Sequence, residues 1–235
     1  MIRSLFFNIA FYLGSVFILI LLSPFLVVSK RFSRSIPHMW ASWVSFLLQH
    51  IARVNYRIHG TIPDTPVLFA SKHQSAWETI AFNHILDRPA FILKKELLWI
   101  PFFGFYLQKA DMIALDRDGG LKTLKNLIKQ AKDRIRQKRS VVIFPEGTRS
   151  TPGTGNTYKK GVFILYKRLN VPVVPVALTT GVCWPRKTFR KHPGTIHVNF
   201  LKPIPPGLEE SEFMPLLEKR IETESMKLLG LVEKK

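Results

Sequence analysis

A histidine and a glutamate five positions apart form the first pattern in the sequence that could do chemistry. His73 and Glu78 lie in a polar segment, residues 71–78, that directly follows the apolar run 67–70. A carboxylate that binds one imidazole nitrogen fixes the tautomer of the ring and stabilises the imidazolium that forms when the other nitrogen takes a proton. The pair could therefore act as a general base toward a hydroxyl group.

The same residues have a second, purely structural interpretation. Ser75 and Glu78 match the S-x-x-E capping box, which predicts that a helix begins at Ser75. His73 then lies in the turn before the helix, where its ring can reach Glu78, whereas residues five apart in one regular helix would point about 140° apart. Helix capping alone and orientation of the imidazole both stay open at this point.

A second polar turn follows the apolar run 141–144. Gly147 permits a close approach of the backbone, Thr148 offers a hydroxyl, and Arg149 offers a planar guanidinium that pairs with phosphate or carboxylate. Glu146 would repel a phosphate, so we expect it to anchor Arg149 or the loop backbone. A plain glycine turn with a solvated arginine explains the segment equally well.

Other catalytic and metal-binding patterns are missing from the sequence. It contains no G-x4-G-K-[ST] nucleotide loop, no G-x-S-x-G nucleophile elbow and no H-E-x-x-H zinc motif. Cys183 is the single cysteine, so neither an intrachain disulfide nor a cysteine-rich zinc cluster can form. We therefore predict no metal and no cofactor.

The overall composition limits the possible partners. The 235 residues include 35 Lys and Arg against 16 Asp and Glu, a net charge of +19, while 46% of the residues are hydrophobic. This apolar content excludes a disordered basic tail, and the positive charge predicts an anionic partner. Nucleic acid, anionic lipid and an acidic carrier protein all satisfy the charge by itself.

The start of the chain predicts a membrane-anchoring segment. Residues 5–28 contain no charged side chain, and a helix of that length reaches about 36 Å, enough to cross a bilayer core. Three basic residues follow this run between positions 30 and 34 and Arg3 alone precedes it, which favours a cytoplasmic location for the chain that follows. Residues 36–52 are less apolar and contain two tryptophans, so a hairpin lying at the headgroup boundary is the alternative to a spanning helix.

The remaining sequence, residues 54–235, predicts an α/β domain that follows an anchoring segment of residues 1–53. Short apolar runs predict strands, and apolar residues at helical spacing predict helices between them. Buried short strands that alternate with helices favour a mixed, largely parallel sheet with helices on both faces. The predicted strands are residues 54–58, 67–70, 90–93, 112–115, 141–144, 173–178 and 195–201, and the predicted helices are residues 121–139, 158–169 and 209–231.

Several of these segments, taken in order, resemble the four motif blocks of the bacterial 1-acylglycerol-3-phosphate (lysophosphatidic acid) acyltransferases. The FPEGTR segment at residues 144–149 is the most specific of them, and the similarity extends from about residue 58 to residue 201. The family usually has Asp at the end of its first motif, where this chain has Glu78. The similar segments are residues 73–78, 94–97 with 100–104, 114–117, 144–149 and 171–175.

This resemblance implies a glycerolipid acyltransferase fold, a reaction, and roles for individual residues. The fatty acyl group of acyl-CoA or of an acyl-carrier protein would move to the sn-2 hydroxyl of 1-acylglycerol 3-phosphate, at the cytoplasmic side of a bacterial inner membrane. His73 would be the base and Glu78 its orienting partner, while Lys94 would stabilise the oxyanion or a phosphate of the carrier. Arg117 and the turn of residues 146–149, with Arg149 as its cation, would bind the phosphate of the acceptor.

Three other interpretations stay open at this point. An acyltransferase could use a different acceptor, such as a lyso-ornithine lipid or glycerol 3-phosphate. A basic membrane-attached protein could bind nucleic acid, but no helix-turn-helix and no interleaving of aromatic and basic residues favours this, and we predict no such partner. A non-enzymatic lipid-binding protein could retain the fold, with Glu78 as the inactivating change. We expect instead lysophosphatidic acid, a thioester donor and anionic membrane lipid as partners.

Overall fold

The computed structural model describes residues 1–25, 30–116 and 120–233, and in them the chain forms a seven-stranded sheet covered by helices. The strand order is β1-β7-β6-β2-β5-β3-β4. All neighbouring strands run parallel except β6 and β7, which confirms the predicted mixed, largely parallel sheet. The strands are β1 Val54–Gly60, β2 Leu68–Ser71, β3 Ala90–Lys94, β4 Ile113–Leu115, β5 Val141–Ile143, β6 Val173–Leu178 and β7 Gly194–Phe200.

Helices cover both faces of this sheet, as predicted. One buried cluster joins Phe7, Val44 and Phe82 of α1, α2 and α3 to one face, and a second joins Leu127 and other residues of α5, α6 and α8 to the opposite face. The helices are α1 Ile2–Leu22, α2 Lys30–Leu47 continued by a π-helical turn Leu48–Ala52, α3 Trp77–Ile85, α4 Phe103–Lys109, α5 Gly120–Arg136, α6 Gly161–Leu169, α7 Thr180–Cys183 and α8 Glu210–Glu233, with a 3-10 helix Lys95–Trp99 before α4.

The amino-terminal segment forms two helices, α1 and α2, that run antiparallel and pack against one another. The indole of Trp40 donates to the hydroxyl of Ser15 at 3.0 Å, and Leu19 packs against the buried Ile36. Among the described residues, α1 is the one helix that is long and apolar enough to cross a bilayer. Its outer face exposes a continuous set of large apolar side chains, namely Leu5, Phe6, Ile9, Tyr12, Leu13, Val16, Phe17, Ile20 and Leu21.

The sheet register explains why two distant polar segments meet. Strands β2 and β5 are parallel neighbours, with Ala70 opposite Ile143 near their carboxyl ends. Because parallel neighbours end at the same edge of a sheet, the loops that follow them must lie side by side. Residues 72–76 and 144–149 are those two loops.

The structure differs from the sequence predictions mainly in its helices. Helix α3 begins at Trp77 rather than at Ser75, because residues 72–75 belong to the irregular turn that carries His73. Helices α4 and α7 were not predicted, and α6 begins three residues later than predicted. Strand β7 runs opposite to β6 and is the strand that makes the predicted sheet mixed. The division of the chain into residues 1–53 and 54–235 stays a prediction.

Candidate active site

The loops after β2 and β5 are joined by direct hydrogen bonds. The backbone N–H of Ser150 donates to the carbonyl of His73 at 2.7 Å, and the backbone N–H of His73 donates to Oε1 of Glu146 at 3.1 Å. The histidine and the FPEGTR turn are therefore fixed relative to one another. Their proximity is a consequence of the β2–β5 register rather than of any local sequence feature.

The carboxylate of Glu78 binds both the imidazole of His73 and the backbone N–H groups just before helix α3. Its Oε1 lies 2.8 Å from Nδ1 of His73 and accepts the backbone N–H groups of Gln74 and Ser75 at 2.7 Å each. The hydroxyl of Ser75 accepts the N–H of Trp77 at 3.0 Å. Glu78 is fully buried, in the first turn of α3, where the helix dipole favours a negative charge. The carboxylate therefore makes the contacts that each of the two interpretations requires.

The ring of His73 has one nitrogen held and the other available. The ring of Phe144 stacks on it with centroids 4.1 Å apart and an angle of 20° between the planes. Glu78 holds Nδ1, whereas Nε2 has no hydrogen-bond partner among the described residues. The side chain is 14% exposed and forms part of the wall of a large cavity. Nε2 is therefore the atom through which the ring can exchange a proton.

Behind the histidine lies a buried ionic cluster that the sequence analysis missed. The ammonium of Lys72 is within 2.7 Å of Oε1 of Glu222 on α8 and 3.4 Å from Oε2 of Glu146, and it donates to the carbonyl of Thr154 at 3.0 Å. Tyr158 donates to Glu222 at 2.9 Å, and burial together with the negative charge of Glu222 raises the pKa of this phenol far above its ordinary value. No local signal links residue 72 to residue 222, so only the folded chain reveals the cluster.

The carboxylate of Glu146 binds the backbone of the loop that carries His73 and does not contact Arg149 in the described contacts. Its carboxylate accepts from the backbone N–H of His73, from the amide of Asn156 at 3.1 Å and from Lys72, and the side chain is fully buried. Of the two expectations for Glu146, the structure has the contact with loop backbone, while none of the described contacts joins it to Arg149. The carboxylate thereby sets the position of the histidine through the main chain.

The turn of residues 147–149 presents a hydroxyl and a guanidinium to the same cavity. Gly147 has a φ of +66°, a left-handed conformation that favours glycine, and its N–H donates to the carbonyl of Phe144 at 2.9 Å. Thr148 is exposed and Arg149 is half-buried, and both contribute to the cavity wall. The guanidinium of Arg149 has no ion-pair partner among the described residues, so it can bind an anion.

The cavity has a volume of about 1020 Å³ and a wall that combines charged and apolar side chains. The wall includes His73, the turn 146–149 and Lys94, which lies exposed at the end of β3. Lys159 and Arg186 add two further cations. Apolar residues make up much of the rest of the wall, namely Leu19, Ile36, Trp40, Phe91, Leu97, Phe103, Tyr106 and Leu107. An amphiphile with an anionic head matches this combination.

Two other predictions concern Arg117 and a metal. Arg117 lies outside the described residues, so its predicted role stays a prediction. Within the part of the chain that the structure describes, no three His, Cys, Asp or Glu side chains come together in a group that could hold a metal ion.

The sequence was then compared with known proteins. Residues 53–179 match the family model described as Acyltransferase, which is more than half of the chain. The chain belongs to the acyltransferase family. It is 35% identical over 179 residues to a 1-acyl-sn-glycerol-3-phosphate acyltransferase of Pseudomonas aeruginosa, an alignment that covers 75% of this chain and 69% of the relative.

A plant protein and a solved structure are also similar to this acyltransferase. It is 33% identical over 143 residues to a 1-acyl-sn-glycerol-3-phosphate acyltransferase of Cocos nucifera, covering 60% of this chain and 46% of the plant protein. The crystal structure of the 1-acyl-sn-glycerophosphate (LPA) acyltransferase PlsC of Thermotoga maritima superposes with a TM-score of 0.78 at 21% identity, over 97% of this chain and 96% of that one. The two chains share one fold.

Proposed function

We propose that this acyltransferase moves a fatty acyl group from a thioester to the sn-2 hydroxyl of 1-acyl-sn-glycerol 3-phosphate, giving phosphatidic acid. One observation carries the proposal. A histidine whose Nδ1 is bound by a buried carboxylate lies in the wall of a cavity that is also lined by the Arg149 turn and by many apolar side chains. The similarity to relatives named for this reaction supports the choice of acceptor.

The proposed chemistry needs one proton carrier and no covalent enzyme intermediate. Nε2 of His73 takes the proton of the acceptor hydroxyl while that oxygen attacks the thioester carbonyl, and Glu78 stabilises the imidazolium that results. When the tetrahedral intermediate collapses, the C–S bond breaks, the new C–O ester bond remains, and the thiolate takes the proton from Nε2. A positioned base of this kind contributes about 10²–10⁴ in rate.

The positively charged residues at the site have separate proposed roles. Arg149, with the hydroxyl of Thr148 and the backbone of Gly147, binds the acceptor phosphate, because a guanidinium offers two parallel N–H bonds to an anion. Lys94 stabilises the oxyanion or a phosphate of the donor, and Arg117 remains a second candidate for the acceptor phosphate. Glu146 contributes to acceptor binding by holding the turn in place.

The proposed location is the cytoplasmic side of a bacterial inner membrane. The exposed apolar face of α1 and the exposed aromatic residues Trp99, Phe102 and Phe105 around α4 are the surfaces that would enter the lipid. Tyr106 of α4 donates to the carbonyl of Leu19 at 2.7 Å, so the two surfaces adjoin. Anionic lipid would add attraction for nearby lysines and arginines.

The direct test is a transfer assay with the purified protein in detergent micelles. Labelled palmitoyl-CoA is offered with lysophosphatidic acid, a lyso-ornithine lipid or glycerol 3-phosphate, and the products are identified by mass. We expect phosphatidic acid from the first acceptor and at most traces from the others, and a rate at least about 100-fold lower from His73→Ala. Preferred acylation of another acceptor would replace the proposed substrate, and transfer by His73→Ala at the wild-type rate would remove the proposed base.

A further inference from the structure

Helix α5 carries a line of exposed positive charges along its outer face. The side chains of Lys122, Lys125, Lys129, Lys132 and Arg136 are all exposed and follow one another at intervals of three or four residues. This spacing places them on one side of the helix, in a line about 21 Å long at 1.5 Å per residue. We call these five residues the basic stripe. The opposite side of α5, including Leu127 and Ala131, is packed into the core.

The basic stripe is not neutralised by the described part of the chain. Arg136 lies 3.3 Å from Asp133, but Lys122, Lys125, Lys129 and Lys132 have no ion-pair partner among the described residues. Like charges three or four positions apart destabilise a helix. An anionic partner outside the chain would reduce this repulsion between the lysines.

The position of α5 favours a soluble partner over the membrane. The apolar outer face of α1 belongs to the helical layer on one side of the sheet, whereas α5 packs with α6 and α8 on the opposite side. The two helices therefore pack on different faces of the sheet, although Leu19 of α1 also lines the cavity. At the same time, Gly120, Thr123 and Leu124 at the first turns of α5 form part of the cavity wall. A partner bound along the stripe lies beside the cavity.

We propose that the basic stripe docks an acidic carrier protein that presents the acyl thioester to the cavity on a flexible arm. This inference rests on the proposed function and names the donor that serves the same site. A partner with a helix of carboxylates complements the stripe in charge and in length. Electrostatic complementarity of this type raises the rate of encounter and makes it sensitive to salt.

The test compares two donors that carry the same acyl group. The triple substitution Lys125→Gln, Lys129→Gln, Lys132→Gln is matched by a control triple on exposed lysines elsewhere, Lys202→Gln, Lys219→Gln, Lys227→Gln. At low salt we expect kcat/KM for a palmitoyl-loaded acyl-carrier protein to fall about tenfold in the stripe variant and by less than about twofold in the control. With palmitoyl-CoA both variants should stay within about twofold of the wild type. In about 0.5 M salt the difference with the carrier should disappear, since screening removes the attraction.

Each alternative outcome separates the two proposals. If the wild type uses palmitoyl-CoA but not the loaded carrier, the docking proposal fails while the proposed function stands. If neither thioester is used, the proposed function fails. An equal loss of kcat/KM in the stripe variant and the control variant would assign the effect to net charge. If the stripe variant keeps its rate with the loaded carrier but binds phosphatidylglycerol vesicles more weakly, the stripe binds the membrane. Both results overturn the docking proposal.

Discussion

Lys72 and His73 are neighbours in the chain but belong to different chemical environments. Lys72 points to the interior, where it is 1% exposed and lies between Glu146 and Glu222. His73 points to the cavity, is 14% exposed, and has only one of its ring nitrogens bound. The two residues directly follow strand β2, and their side chains reach different surroundings, the buried ionic cluster and the cavity.

The residues of the cavity wall can take part in the reaction directly, whereas those of the buried ionic cluster support it by holding the loops in place. Among the described residues, Nε2 of His73 has no hydrogen-bond partner and the guanidinium of Arg149 has no ion-pair partner, so both groups on the cavity side can bind a ligand. The interior side has a lysine and two glutamates bound to one another and to backbone, which can only hold position. Substitutions on the cavity side should therefore change the chemical step, and substitutions on the interior side should change stability first.

The largest effect is expected for His73→Ala. Removing the only base of the proposed mechanism should lower kcat by about 10²–10⁴, while the fold is retained because the side chain is partly exposed and its backbone contacts remain. Transfer rates and thermal unfolding of the purified variant measure the two quantities. A folded variant with wild-type kcat would contradict the assignment.

Next in size is Lys72→Met on the interior side. Without the ammonium, the carboxylate of Glu146 stays fully buried and that of Glu222 stays 27% exposed, which should cost about 3 kcal/mol and lower Tm by about 6–12 °C. Residual activity should keep the pH profile of the wild type, since the base is untouched. Lys202→Met, an exposed lysine, serves as control, and an unchanged Tm in Lys72→Met would show that the cluster does not stabilise the fold.

The pair Glu78→Gln and Glu78→Asp tests what the carboxylate adds beyond helix capping. The oxygen of Gln can still accept from Gln74, Ser75 and His73, so the tautomer is kept and only the charge is lost. Two unit charges about 4 Å apart interact by about 4 kcal/mol at an effective dielectric constant of 20, so kcat should fall about 100-fold or more. Glu78→Asp retains the charge and should retain most of the rate. An unchanged kcat in Glu78→Gln would leave capping as the single role.

Arg149→Lys should have a smaller effect, confined to one substrate. Lysine keeps the charge but loses the planar pair of donors, so KM for lysophosphatidic acid should rise about tenfold. KM for the thioester should change by less than about twofold. Steady-state kinetics with each substrate varied in turn measures both, and an equal rise in the two constants would argue against a phosphate site at Arg149.

The smallest effect concerns Lys191, a buried lysine without a carboxylate. Its ammonium lies over the ring of Trp184 at 4.9 Å and donates to the carbonyl of Phe189, and burial lowers its pKa to about 8. Between pH 8 and about 10.4 the unfolded chain then binds more protons than the folded one, so the free energy of unfolding should rise with pH in this window. Chemical denaturation at several pH values measures the slope. The Lys191→Met variant should lack this pH dependence of the free energy of unfolding. An equal slope in that variant would show that other groups cause the pH dependence.

Much of the site could be predicted from local sequence. His73 with Glu78 and the turn 146–149 carry their chemistry in adjacent residues, and each follows a recognisable apolar strand. The sheet class, the packed side of α5 and the apolar α1 were predictable for the same reason, because side-chain periodicity reports which face of an element is buried. The start of α3 was misplaced by two residues, because Ser75 caps from a turn rather than from the helix boundary.

Residue type and spacing alone therefore determined which side chains are candidates for the reaction and which segment is apolar enough to enter a membrane. Tertiary structure alone decided that β2 lies between β5 and β6, that Glu222 reaches Lys72 across the domain, and that the basic stripe and α1 lie on opposite sides of the sheet. The physical reason is that short-range patterns follow from helix and strand periodicity, whereas strand order and contacts between distant residues depend on how the whole chain buries its apolar faces at once.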